Sequence, residues 1–220
     1  MNENYNVKYE IKKDWWLIGI IILIWIFTFA VFHRLPDKIP MHWNISGQVD
    51  SFGCKRDIFV LPSIITIIYF AMLCTPKIDP KKVNYMKFIG AYRLIRAVLV
   101  IIFSALYFSA TFFALGYNID MNRIGSLIIP VILIAFGSVM GRLRYNYFVG
   151  IRTPWTLSDE EVWDKTHQMG GKLWLITGII ALFASFFNAT WAAVLMFVLL
   201  IIAIIVPVLY SYIIFKNKGK

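Results

Sequence analysis

Apolar runs of bilayer-crossing length recur from one end of this 220-residue chain to the other, and nothing else constrains its fold as strongly. A helix needs about 20 apolar residues to cross a hydrocarbon core. The membrane interior offers the backbone no water, so each such run reads as a helix. We place six spans: Trp15 to Phe32, Asp57 or Ile58 to Cys74, about Arg96 to Gly116, Ile124 to Gly141, Leu173 to Phe187, and Trp191 to Phe215. Composition agrees, with 60% apolar and 15% charged residues and a mean hydropathy of +0.70, whereas soluble domains carry roughly 25% charge. The expected fold is all-α, a polytopic membrane protein with six transmembrane helices and a short amphipathic cytoplasmic helix between the fourth and fifth. Residues 1 to 14 read as a loose tail, and no internal repeat is detected. No small-residue cleavage site follows the first span, which argues against a signal peptide. Cys54 and Cys74 lie at opposite ends of the second span, so no disulfide between them is expected.

The net charge of +10 is spread in small groups between the apolar runs and not gathered on one face, which argues against direct nucleic-acid binding. The groups report orientation instead, because short cytoplasmic loops carry the excess of Lys and Arg. Most of the 22 basic residues fall in the two tails, the loop after the second span and the stretch after the fourth. Both termini are therefore expected in the cytoplasm and the His33 to Arg56 loop outside, although Arg34, Lys38, Lys55 and Arg56 in that loop run against the rule.

The longest polar interval is Gly150 to Gly171, GIRTPWTLSDEEVWDKTHQMGG. Arg152-Thr153-Pro154-Trp155 reads as a turn, since proline fixes its own φ and pushes its predecessor out of the helical region. A helix is expected to start at Ser158, with Glu161 reaching back to the cap and Asp159, Glu160 and Glu161 at the positive end of the dipole. Asp164 and His167 are three apart and Trp163 and His167 four apart, so either pair can touch. No nucleophile accompanies them, and no HExxH, GxSxG or phosphate-cradling loop occurs, so neither an enzyme nor a cofactor is expected. The tryptophans fit interfacial anchors; the acidic face fits a basic protein partner better than an anionic leaflet. Arg93 and Arg96 open the third span, either snorkelling to the headgroups or pairing with Glu160 or Asp164. No ionisable residue is expected deeper in the spans, which counts against ion-coupled transport.

In the outer loop, Pro36 and Pro40 disfavour helix, and Gly47 and Gly53 mark turns. His33, His42 and Asp50 offer metal-type ligands in a spacing that matches no metal motif; a structured lid or ligand-recognition loop is the other reading. Asn44-Ile45-Ser46 fits a glycosylation sequon.

Two of these patterns resemble a known family. The string from Gly150 to Ser158 with Glu160, Glu161, Val162, Trp163, Thr166, His167 and the Gly170-Gly171 pair, preceded by Asn146, Phe148 and Val149, is similar to the C-terminal signature of the SdpI family. The loop pattern Ile39-Pro40-x-His42-Trp43-Asn44-x-x-Gly47-x-x-Asp50 resembles the uncharacterised domain that accompanies that signature in many members. The resemblance implies a bacterial plasma-membrane protein without enzymatic activity, divided into a region 1–115 and a SdpI-like region 116–220. Such a protein gives immunity to a secreted sporulation-delay toxin and signals by holding an ArsR-type winged-helix repressor at the lipid bilayer. The toxin is then expected to meet Pro40, His42, Trp43, Asn44, Gly47 and Asp50. The repressor is expected to meet Arg152, Thr153, Pro154, Trp155, Glu160, Glu161, Trp163 and His167. A membrane transporter or metal-dependent membrane enzyme is the alternative.

Overall fold

The computed structural model describes residues 5–44, 47–187 and 190–218. Ile45 and Ser46 of the sequon, and Asn188 at the last interhelical link, lie outside the described residues. In chain order the elements are α1 (Val7–Lys13), α2 (Trp15–Phe32), β1 (Lys38–Trp43), β2 (Val49–Cys54), α3 (Val60–Ile78), α4 (Ile89–Ala114), α5 (Met121–Met140), α6 (Pro154–Ser158), α7 (Glu160–Ala184) and α8 (Thr190–Lys218). Short 3-10 segments, Lys55–Phe59 and Lys82–Phe88, lead into α3 and α4. Among the described residues, five segments are long and apolar enough to cross a membrane: Trp15–Phe32, Lys55–Ile78, Lys82–Ala114, Met121–Met140 and Trp191–Lys218. The surface agrees, because Ile22, Leu23, Ile26, Phe29, Ile205 and Leu209 all stand exposed, an apolar exterior that suits lipid and not water. The protein is a polytopic, mainly helical membrane protein.

The fifth expected span, Leu173 to Phe187, is where the structure differs. No separate amphipathic helix precedes it: the polar half beginning at Glu160 and the apolar half ending at Ala184 form one continuous helix, α7, of 25 residues. The helix does not start at Ser158 either. Ser158 closes the five-residue α6, and Asp159 caps α7 with its carboxylate accepting from the Glu161 and Val162 N–H groups at 2.8 and 2.9 Å. Aspartate wins the cap because its charge faces the helix's positive end.

The chain forms two compact units interleaved in sequence. One comprises Asn6–Leu73 and Arg96–Ser126; the other draws chiefly on Cys74–Ile95 and Leu127–Lys220. In the first unit, Leu17, Ile21, Ile24, Thr28 and Val31 make the buried stripe of α2, at the three-and-four spacing of one helix face. They pack with Ile65, Tyr69, Leu73, Val100 and Tyr107, and the buried Thr28 hydroxyl meets the Tyr107 hydroxyl at 2.6 Å. Residues 7–13 are not a loose tail. Asn6 caps α1 by accepting from the Tyr9 N–H, and α1 turns Glu10 inward to 1% exposure. Arg96, expected at a span's edge, sits inside α4, fully buried. Its Nη2 pairs with Asp14 at 2.6 Å and Glu10 at 3.2 Å, in place of the expected Glu160 or Asp164.

The His33 to Arg56 loop holds an antiparallel hairpin, β1 against β2, with Lys38 opposite Cys54, Ile39 opposite Gly53 and Trp43 opposite Val49. Asn44 builds its turn. Its carbonyl accepts from the Gly47 N–H at 2.8 Å and its side-chain oxygen from the Gln48 N–H at 3.0 Å, while Gly47 takes a positive φ of 75° that glycine adopts without strain.

In the second unit, α5 and α7 approach through glycines. A Cβ on Gly137 would meet the Leu175 backbone nitrogen at 2.6 Å, and one on Gly178 would meet Ile134 and Leu133 at 2.9 Å, the small-residue packing common between membrane helices.

Candidate functional site

The signature segment of the second unit is built around Asn146, Gly150 and His167. Asn146 is fully buried and uses its whole amide locally. Its nitrogen donates to the Arg144 and Val149 carbonyls at 2.9 and 3.0 Å, and its oxygen accepts from the Phe148 and Val149 N–H groups at 2.9 and 2.8 Å. One side chain thus folds the loop from residue 144 to 149. Gly150 then takes a φ of 129°, and an added Cβ would stand 2.4 Å from His167 Nε2 and 3.1 Å from the Trp163 ring.

Trp163 and His167 occupy the space that Gly150 leaves open. Both are fully buried, their rings stacked with centroids 4.0 Å apart. Trp163 Nε1 donates to the Leu143 carbonyl at 3.0 Å. His167 Nδ1 donates to the Trp163 carbonyl at 2.8 Å, and Nε2 accepts from the Ile151 N–H at 2.9 Å. These two bonds together define the neutral ring with its proton on Nδ1. Burial pushes the imidazole pKa down to about 4, against the smaller upward pull of the Trp163 carbonyl. A second proton would set an N–H against the Ile151 N–H.

A stability prediction follows with a definite sign. The unfolded imidazole titrates near 6.5 and the folded one near 4, so the unfolded state binds more protons between those values. Stability is therefore complete above pH 6.5 and falls as pH drops through the window, by on the order of 3 kcal/mol in total. His167→Gln keeps an acceptor for Ile151 and should flatten this slope; thermal unfolding in detergent from pH 7.5 to 4.5 measures it.

Downstream, Thr153 caps α6 with Pro154 in its first turn. The Thr156 N–H donates to the Thr153 hydroxyl at 3.1 Å, and the Thr153 N–H returns a bond to the Thr156 hydroxyl at 2.9 Å. The Thr153 hydroxyl also meets Ser211 of α8 at 3.0 Å. The expected turn at Arg152–Trp155 is thus a capped helix start. Upstream, buried Asp79 accepts from the Tyr147 N–H and the Tyr85 hydroxyl at 2.9 Å each and from the Lys81 N–H at 2.7 Å. Asn84 donates to the Tyr145 carbonyl at 2.9 Å, and the Tyr145 hydroxyl donates to the Leu157 carbonyl. The segment 79–85 therefore braces the signature loop. Sequence reasoning missed that role, although Asp79-Pro80 carries a turn signal.

The expected partner residues divide. Arg152, Pro154, Glu160 and Glu161 are exposed. Trp155 is half-buried against Tyr212, ring centroids 5.0 Å apart. Thr153, Trp163 and His167 are buried and hold the segment from inside. The acidic face is not bare. Asp159 lies 2.6 Å from Lys218; Glu161 lies 2.7 Å from Lys165 and 2.8 Å from Lys218; Glu160 lies 3.7 Å from Lys81, and Asp164 lies 3.6 Å from Arg144. The bond from Lys218 and the Val162 and Glu161 N–H groups hold the Asp159 carboxyl below its usual range, and Lys165 with Lys218 does the same for Glu161. The surface is a mixed-charge lattice. Asp164 turns to Arg144, so the Asp164–His167 acid–base pair suggested by spacing does not form.

On the hairpin of the first unit, His42 Nδ1 and Asp50 Oδ1 are 2.6 Å apart and exposed. Trp43 packs edge-on against Phe113, centroids 5.6 Å apart, Pro40 is buried, and Asn44 and Gly47 form the turn. His33 does not join His42 and Asp50: among the described residues no group of three His, Cys, Asp or Glu side chains is placed to hold a metal.

Comparisons with known proteins agree with this division. Residues 142–211 match the SdpI/YfhL protein family, and residues 19–66 match a domain of unknown function, DUF1648. The chain is 27% identical over 206 residues to the immunity protein SdpI of Bacillus subtilis, covering 94% of this chain and 97% of that one. It is 28% identical over 71 residues, 32% of this chain and 39% of the other, to an uncharacterized protein of Archaeoglobus fulgidus. No solved structure matches. The relative matched along nearly the whole chain is the one named as an immunity protein. The chain is thus similar to the SdpI/YfhL protein family through residues 142–211 and to DUF1648 through residues 19–66.

Proposed function

We propose that this protein is a multi-pass immunity protein of the bacterial plasma membrane, with both termini cytoplasmic, protecting its cell from a secreted peptide toxin. In this reading the hairpin faces outward and meets the toxin through His42, Trp43 and Asp50. The start of α6 and α7 faces the cytoplasm and tethers an ArsR-type repressor through Arg152, Pro154, Trp155, Glu160 and Glu161. The supporting observation is the build of the signature segment. A tripeptide of exposed arginine, capping threonine and proline follows directly on a loop fixed by buried Asn146, Trp163 and His167, and a rigidly presented polar segment suits recognition better than chemistry. Resemblance along nearly the whole chain to a protein named for immunity points the same way.

The test expresses the protein in a toxin-sensitive strain carrying the cognate repressor and a promoter reporter. Wild type is expected to raise survival on a sporulation-delay-type toxin at least tenfold and to induce the promoter. Arg152→Ala with Trp155→Ala, once shown to insert, is expected to keep survival and lose induction at least tenfold. Both readouts unchanged from wild type would remove the role given to the motif, and no protection by wild type would remove the immunity reading.

A further inference from the structure

The unit that holds the signature also contains an apolar groove of about 380 Å³. Phe136 and Met140 of α5, Trp174 of α7, Pro207 of α8, and Leu143 and Ile151 of the signature loop line it. Both α5 and α8 are long and apolar enough to cross a membrane, so a hydrocarbon chain is a chemically matched occupant. Left empty, the groove would forfeit the dispersion contacts of every wall atom.

Size decides what fits. The volume is near the lower end of ligand cavities, about 300–1,000 Å³. A helix about 10 Å across would fill it with roughly one turn, so it suits one unbranched chain and not a peptide helix. Charge decides the head. Arg142 and Arg152 are the sequence neighbours of two residues that line the groove, Leu143 and Ile151, and both are exposed. Among the described residues Arg142 makes no ion pair, and Arg152 spends one N–H on the Tyr147 carbonyl at 2.9 Å and pairs with no carboxylate. Guanidinium groups are suited to a phosphate through several parallel bonds, and basic sites beside membrane helices take anionic lipid heads.

We propose that this groove holds one acyl chain of an anionic phospholipid whose phosphate is bound by Arg142 and Arg152. The lipid would then touch the backbone of Val149, Gly150 and Ile151, the strand of chain that His167 fixes. This site shares Arg152 with the surface offered to the repressor, and its test reads retained lipid alone, so its failure is distinguishable from failure of the toxin or repressor reading.

The test reconstitutes the full chain in vesicles of equal phosphatidylglycerol and phosphatidylcholine, extracts it gently and counts retained lipid by native mass spectrometry. Wild type should retain one phosphatidylglycerol with at least tenfold preference. Ile204→Trp should cut retention at least tenfold, because Ile204 lines the groove yet is 51% exposed and tolerates a larger side chain; Val208→Trp serves as the second filling variant. Arg142→Gln with Arg152→Gln should bring the preference to about onefold while a lipid is still retained. Equal retention of both lipids by wild type, retention untouched by both filling variants, or a peptide mass in place of a lipid would each overturn the assignment.

Discussion

Replacing Arg96 with methionine is expected to be among the most damaging single changes in this protein, costing about 3–5 kcal/mol, which lowers the unfolding midpoint in detergent by roughly 10 °C. The reason is what stays behind. Glu10 and Asp14, 1% and 4% exposed, face Arg96 Nη2 at 3.2 and 2.6 Å, and removing the cation leaves two carboxylates close together and out of water. Burial already holds the Asp14 carboxyl above its usual range while Arg96 pulls it down. Without Arg96 it must rise further and take up a proton. The triple change Glu10→Gln, Asp14→Asn, Arg96→Met removes the charges as a set and is expected to restore at least half of the lost midpoint, since buried ion clusters exchanged whole are often nearly neutral. An equal loss for the triple and single variants would show that Arg96 acts through packing and not through its charge.

Gly150→Ala is expected to cost about 3 kcal/mol, from positive-φ strain of about 1–2 kcal/mol plus displacement of the His167 ring. The new methyl would lie 2.4 Å from His167 Nε2, where the bond to the Ile151 N–H now runs. The loss of that bond is measurable apart from stability. The acid-dependent slope assigned to His167 should shrink in Gly150→Ala, because an imidazole pushed from its niche regains water and titrates nearer to 6.5. An unchanged slope would mean that the ring has stayed in place and that the loop has yielded instead.

How much of this was legible in the sequence differs by feature. The first span is legible to the residue, Trp15–Phe32, because an unbroken apolar run of that length is bounded by Asp14 and His33; its buried stripe is not, since the run is apolar on every face. The hairpin was visible only as a proline- and glycine-marked loop. Its strands are six residues each, with irregular register at Pro40, His42 and Trp43, so no clean alternation announces them. Asn44, Gly47 and Asp50, taken from the sequence as recognition residues, also serve the hairpin itself as turn and cross-strand pair. The signature region was legible as a unit, but not its inside and outside. Helical spacing put Trp163 and His167 on one face, and nothing local revealed that the loop from residue 143 to 151 covers that face. Arg96 was beyond reach for the same reason: its partner Glu10 is 86 residues away, and pairing at that separation is a property of the packed helices.

The continuity of α7 carries a mechanical consequence. It spans 25 residues, about 37 Å at 1.5 Å per residue, and contains no proline. Its Gly170-Gly171 pair is pressed on by Ile151 and Met140, which blocks the bend that such pairs otherwise permit. The same stiff shaft therefore runs from an apolar end at Ala184 to the Arg152 segment beside Glu160. A tilt of about 5° at one end displaces the other by about 3 Å over that length, the width of a hydrogen bond, so a push on the apolar end arrives at the polar end as a change of position and not as a loosening.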